Sequence, residues 1–331
     1  MGSSPVSSTP LSPEFRAVFR SHADSKGRMT FAKFMEIALY HSEVGYYRSS
    51  QRRIGYAPGS DFFTASTSGP VFGELVAAAC AAILRAAGRD PTLHTFVEIG
   101  AEPDGRSVLA DVMHGFSDVR TVHLGEPQSL TGDCIVFSNE LFDAQPCVRS
   151  VFRHGQWVEI GVELRDNTLV EIELESAPPF RPAVAVEGYH FDQPTAAQAL
   201  TAKIAGQPWR GLFVAFDYGK TLRELTVETP NGTARAYYRH IQSNDLLARP
   251  GEQDLTCHIC WDWISEALQA HGFVNPALAF QESFFIRHAG EFIARASATD
   301  AASFSPRKLA LLQLLHPSHM GQKFQVLHAL R

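Results

Sequence analysis

The sequence predicts an α/β protein built on a doubly wound, largely parallel sheet. Three observations carry this expectation. Apolar runs at 96–99, 134–137 and 213–216 read as buried parallel strands, and each ends in polar residues or glycine: Glu98 and Gly100, Asn139 and Glu140, and Asp217. The first run is followed by a loop and then a segment, 107–113, that reads as a helix; nucleotide-binding α/β folds begin with such a strand–loop–helix unit. Between the second and third runs the pattern changes to strict alternation, the mark of an inserted antiparallel meander.

Taken in order, residues 1–13 are rich in Ser and Pro and read as a disordered tail. Residues 14–70 form an N-terminal cap segment. Within it, Thr30 caps a helix bearing Phe31, Phe34, Met35, Ala38 and Leu39 at helical spacing. A turn-rich stretch follows and carries Tyr46 and Tyr47. The first part of the core spans 71–147. It opens with one helical stripe, Val71, Phe72, Leu75, Val76, Ala79, Cys80, Ile83 and Leu84, which Gly88 closes. Residues 148–182 are the meander, turning at His154-Gly155 and Asp166-Asn167 and ended by Pro178, Pro179 and Pro182. The second part of the core, 183–331, holds the strand at 213, a helix over about 259–270, and a helix opened by Ser305-Pro306.

Composition excludes several classes. Lys and Arg number 29 against 35 Asp and Glu, so the net charge of −6 argues against a nucleic-acid-binding face. No apolar run approaches the roughly 18 residues that span a bilayer, so no membrane partner is expected. The N-terminus lacks the basic start and apolar run of a signal peptide, and five cysteines without framework spacing fit a reducing compartment. A cytoplasmic location is expected. Cys257 and Cys260 flank His258, but the other cysteines are scattered, so no metal site is expected. The composition leaves the oligomeric state open.

Specific strings then narrow the reading. FAKFMEIALYHSEVGYY and GSDFFTASTSGPVFGELV come first, then SNELFDAQPC at 138–147, FDYG at 216–219 and GTARAYYRH at 232–240. PGEQDLTCHICWDWISEALQAHGF follows at 250–273 and MGQKFQVL at 320–327. In this order they resemble the MidA family of class I S-adenosylmethionine-dependent methyltransferases. The resemblance covers nearly the whole chain after the tail. It implies a Rossmann-like methyltransferase sheet, S-adenosyl-L-methionine as cofactor, and a protein partner. Mitochondrial members assist assembly of respiratory complex I by methylating an arginine, so an arginine acceptor is implied.

The chain departs from the family at three places. The family's loop after the first strand reads Glu-(Leu/Ile)-Gly-Pro-Gly-x-Gly; here residues 98–105 keep Glu98 and Gly100, align Gly105 after an insertion, and bring in Glu102 and Asp104. A carboxylate held roughly 4 Å from the cofactor's own carboxylate costs about 4 kcal/mol at an effective dielectric near 20; beside the ammonium it helps. Thr67 stands where the family has Glu. The segment between Met113 and Cys134 is short: Glu126 could be the acid that grips the cofactor ribose, or the whole unit could be deleted. A noncatalytic protein-binding or assembly factor that has lost the cofactor is therefore the alternative to an enzyme.

Methyl transfer is an in-line displacement from a sulfonium, and the protein positions donor and acceptor. Carboxylates clamp a guanidinium bidentately, which makes Glu140, Asp143 and Asp217 catalytic candidates together with His258, a base or carboxylate-orienting group. Glu98, Gly100, Gly105, Glu126 and Asn139 are the cofactor-binding candidates. Tyr46 and Tyr47, as a lid, and Arg235 and Tyr237, from the Gly-Thr-x-Arg-x-Tyr pattern, are the substrate-binding candidates.

Overall fold

A computed structural model of the chain describes residues 11–48, 70–101, 106–123, 126–183, 186–299 and 305–331. The helices are α1 (Pro13–His22), α2 (Phe31–Tyr40), α3 (Pro70–Ala86), α4 (Thr195–Ala205), α5 (Leu222–Val227), α6 (Trp261–Ala270), α7 (Gln281–His288), α8 (Gly290–Thr299) and α9 (Pro306–Leu315). The strands are β1 (Arg28–Thr30), β2 (Thr95–Ala101), β3 (Asp118–His123), β4 (Gly132–Asn139), β5 (Val148–Arg153), β6 (Gln156–Arg165), β7 (Thr168–Glu173), β8 (His190–Gln193), β9 (Trp209–Asp217), β10 (Gly219–Lys220), β11 (Arg235–Tyr238), β12 (Ile241–Ser243), β13 (Asp254–Thr256), β14 (Ile259–Cys260), β15 (Val274–Phe280) and β16 (Gln325–Leu330). They fall into two compact units. One takes its described residues from Phe63–Leu141, Leu200–Gly219 and Ile264–Arg331, the other from Met1–Phe62, Phe142–Ala199 and Lys220–Trp263.

The first of these is the sheet unit. Its six strands run in the order β15-β16-β9-β4-β2-β3. β3, β2, β4 and β9 are mutually parallel, while β16 is antiparallel to both β9 and β15. The chain passes from β2 outward to β3 and returns on the other side of β2 as β4. The strand order therefore reverses between β2 and β4, where doubly wound sheets place their ligand crevice. The Val71–Leu84 stripe packs α3 on this sheet: Phe72 meets Phe216 edge-on at 5.5 Å and Phe285 at 6.1 Å, all buried. The helix ends at Gly88, whose φ of +71° lets Arg89 N–H reach back to Leu84 O at 2.9 Å.

One expected element is absent. Residues 107–113 form turns, not a helix, with Ala110 N–H on Ser107 O at 2.9 Å and Val112 N–H on Leu109 O at 3.1 Å. Seven residues give an α-helix few hydrogen bonds, and the Ser107 hydroxyl takes the Leu109 N–H instead. The turn also lies hard against α3: a Cβ on Gly73 would fall 2.0 Å from Val108 O. The short segment after Met113 keeps a strand, β3, but residues 126–131 form no helix.

The other unit is antiparallel. The meander β5-β6-β7 gains β8 beside β5 and β1 beside β6. Its two turns have both central residues at positive φ, His154 (53°) with Gly155 (77°) and Asp166 (48°) with Asn167 (64°), the geometry that matches strand twist in two-residue hairpins. α1 and α2 cover one apolar cluster, with Ser12 and Thr30 as caps and Phe15 edge-on to Phe34 at 6.2 Å. β11, β12 and β13 form a small separate sheet in the order β12-β11-β13.

Candidate functional site

The parallel strands of the sheet unit carry their carboxyl ends to one edge. β2 delivers Glu98 and Gly100, β4 delivers Asn139 and Glu140, β9 delivers Asp217, and β3 leads to Glu126. Glu98 is buried; its Oε2 accepts the Val108 N–H at 2.9 Å, and burial, opposed by that bond and by Ser107, raises its pKa. Gly100 has φ of +85°, and a Cβ there would meet Leu141 Cδ1 at 2.6 Å. Glu140 holds φ of +52°, a conformation rare outside glycine. It is fixed by its own N–H on Phe216 O at 2.9 Å and by Asn139 Nδ2 donating to its Oε1 at 2.9 Å. Asn139 Oδ1 is buried and meets no hydrogen-bond partner among the described residues. Asp217 is fully buried, with Oδ1 on the Tyr218 N–H at 2.8 Å.

Glu126 is exposed and caps the end of β3, its Oε2 accepting the His123 N–H at 2.8 Å. A cavity of about 230 Å³ lies between Phe72 and Gly73 and the 106–112 turn; Asn139, Glu140 and Asp217 do not line it. Gly105, Glu102, Asp104 and Thr67 lie outside the described residues.

In the antiparallel unit the structure gathers Tyr46, Tyr47 and Asp143 with two residues the sequence reading missed, Tyr40 and Asp254. Tyr40 and Tyr47 stack at 5.5 Å, Tyr46 meets Tyr47 edge-on at 5.2 Å, and Tyr47 OH donates to Asp254 Oδ1 at 2.9 Å. Asp143 and Asp254 are both buried. Burial first, then the charges of Asp254 and Asp143, hold the Tyr47 phenol well above its ordinary pKa, so it remains a donor.

Arg235 and His258 form a second grouping in the same unit. Arg235 Nη1 donates to Ala234 O at 2.6 Å, and His258 N–H donates to Thr233 Oγ1 at 3.2 Å. Burial, then Lys220 and Arg235, lower the His258 pKa to about 4, and its Nδ1 has no partner among the described residues. The loop beneath is held by Asp192, whose Oδ1 takes Arg149 Nη1 at 2.7 Å while Oδ2 accepts the Thr233 and Ala234 N–H groups at 2.7 and 2.8 Å. Tyr237 stands apart: its hydroxyl donates to Gln242 across the β11–β12 hairpin.

Among the described residues, no cluster of three or more His, Cys, Asp or Glu could hold a metal ion, and no helix is long and apolar enough to cross a membrane.

Residues 106–277, more than half of the chain, match the model of the family described as "Putative S-adenosyl-L-methionine-dependent methyltransferase". A crystal structure of a Burkholderia thailandensis protein bound to S-adenosyl-homocysteine is 25% identical, with a TM-score of 0.80 over 98% of this chain and 95% of that one. A native crystal structure of an uncharacterized protein from the same organism is 24% identical, with a TM-score of 0.77 over the same shares of the chains. No curated protein matches the sequence.

Proposed function

Because the chain belongs to this S-adenosyl-L-methionine-dependent methyltransferase family, with S-adenosyl-L-methionine as its cofactor, we propose that it acts in the manner of the MidA enzymes and methylates an arginine of a partner protein. The observation that carries this reading is the Asn139-Glu140 pair. Glu140 turns the chain out of β4 at φ of +52°, held by its own N–H on Phe216 O. The pair lies at the end of β4, on the sheet edge where such folds bind ligands, and includes a buried amide oxygen with no partner among the described residues.

The residues suit the cofactor. Gly100 lets the chain turn at φ of +85° with Leu141 packed against it, and the buried Asn139 Oδ1 is an acceptor for an ammonium or a hydroxyl. Glu98, bonded to the Val108 N–H, ties the 106–112 turn to β2. Once bound, the cofactor supplies an electrophilic methyl group on a sulfonium. This chain's own part is to bind, orient and exclude water. A guanidinium needs an acceptor for its N–H groups, and Glu140 offers one at the sheet edge. In the antiparallel unit, Asp143 and Asp254 among three tyrosine rings have the composition that suits a cationic side chain.

The test is transfer of radiolabelled methyl from S-adenosyl-L-methionine to proteins of a cell lysate, followed by acid hydrolysis. The expected product is methylarginine, lost in Glu140→Gln with cofactor binding retained. Label on lysine or on small molecules overturns the arginine assignment.

A further inference from the structure

Three basic groups, Lys220, Arg235 and His258, converge in the antiparallel unit. β11 sets Arg235 opposite Thr256 of β13, two residues before His258. β10, which ends in Lys220, pairs with β14, immediately after His258. All three side chains are partly buried. Among the described residues, neither Lys220 nor Arg235 forms an ion pair; the guanidinium of Arg235 reaches only a backbone carbonyl.

The acids that face His258 are already engaged. Asp192 is matched by Arg149 and two backbone N–H groups. Glu224 closes the capping box of α5, accepting both the N–H and the hydroxyl of Thr221 at 2.7 Å. Arg149 answers Asp192 and also meets Glu171 at 3.4 Å, which leaves Lys220 and Arg235, with Glu224 nearby, beside an imidazole whose Nδ1 is buried and unpartnered among the described residues. Cations drawn partly out of water without a counterion are unfavourable unless an anion joins them.

We propose that Lys220, Arg235 and His258 form a carboxylate-binding subsite that takes an acidic side chain of the protein acceptor. The inference rests on the reading of a protein acceptor given above. Arg235 supplies the planar fork that matches two carboxylate oxygens, Lys220 a point charge, and His258 a ring N–H when that nitrogen carries the proton. A bound carboxylate also favours the imidazolium, so occupancy raises the His258 pKa from about 4.

The experiment follows the His258 ring by NMR in the full chain as acetate is added, with inorganic phosphate in a parallel titration. The expected result is a saturable shift with acetate and a rise in the His258 pKa. Lys220→Ala and Arg235→Ala should each weaken acetate binding by about tenfold or more, as loss of a charged hydrogen bond does. Arg235→Lys should recover part of it, and Arg223→Ala, at an exposed cation on α5, should leave it unchanged. A non-saturable shift, or one indifferent to Lys220 and Arg235, overturns the subsite. Tighter binding of phosphate than of acetate overturns the carboxylate assignment. Cofactor binding, measured separately, keeps the two readings apart: a chain that binds acetate but not S-adenosyl-L-methionine keeps the anion site and loses the methyltransferase reading.

Discussion

Replacing Gly100 by alanine tests the sheet edge at the point where backbone geometry and packing act together. Two costs add. An L-residue forced to φ of +85° costs about 1–2 kcal/mol. The new Cβ also falls 2.6 Å from Leu141 Cδ1, the far end of a flexible side chain, and turning that side chain off its rotamer costs about 1 kcal/mol. The sum, about 2–3 kcal/mol, disfavours the conformation seen here by roughly 30- to 150-fold. If that conformation is the one that binds the cofactor, the apparent Kd rises by the same factor. Calorimetric titration with S-adenosyl-L-methionine measures it. Gly100→Ala combined with Leu141→Ala should recover the packing share, roughly fivefold, and no more, because the φ cost persists; Leu141→Ala alone supplies the reference for the cycle. Wild-type affinity in Gly100→Ala, or full rescue by the double variant, would refute the reasoning.

Four further outcomes are expected. Arg149→Met strips Asp192 of its buried partner and should lower stability by about 3–5 kcal/mol in urea unfolding, and Asp192→Asn in the same background should restore part of the loss. The Glu98 pKa is raised, so the folded state holds the proton longer than the unfolded chain; stability therefore falls as pH rises through the window just above the ordinary carboxylate value. Glu98→Gln should abolish that fall and be at least as stable at pH ~7, and a less stable variant with the slope intact would contradict it. His258 and His328 both have pKa values lowered to about 4, so the unfolded chain protonates first; stability is complete above the ordinary imidazole range and is lost as pH falls toward 4, a slope that the double Asn variant should flatten in acid unfolding curves. Arg331→Ala removes a guanidinium that donates to the carbonyls of Ala205, Gln207, Trp209 and His271 and lies over the Phe273 ring at 4.7 Å; a loss of about 2–3 kcal/mol is expected in thermal unfolding.

Local chemistry made much of the architecture legible. Thr30 and Ser305-Pro306 cap helices as their types require, and His154-Gly155 and Asp166-Asn167 turn the hairpins because these residues tolerate positive φ. The three apolar runs are the parallel strands β2, β4 and β9 because residues buried on both faces need no alternation. What escaped was decided at long range. The helix expected at 107–113 gave way to a turn pressed against Gly73 of α3. β15 and β16 complete the sheet through pairing that no local period marks. α1 hid behind a Ser/Pro-rich approach although Ser12-Pro13 is itself a helix start. That Asn139, Glu140 and Asp217 share one edge was legible because the parallel strands β4 and β9 end there. Tyr40, Asp254 and the Arg149-Asp192 pair were not, because partners 43 to 207 residues apart along the chain leave no spacing to read.

The carboxyl edge of the sheet is where S-adenosyl-L-methionine is expected to bind. Calorimetric titration of the full chain with S-adenosyl-L-methionine and S-adenosyl-homocysteine tests it most directly, with Asn139→Ala alongside. Saturable micromolar binding of both is expected, weakened about tenfold when the buried Oδ1 acceptor is removed. Absence of heat at millimolar cofactor, or binding unchanged in Asn139→Ala, would contradict it.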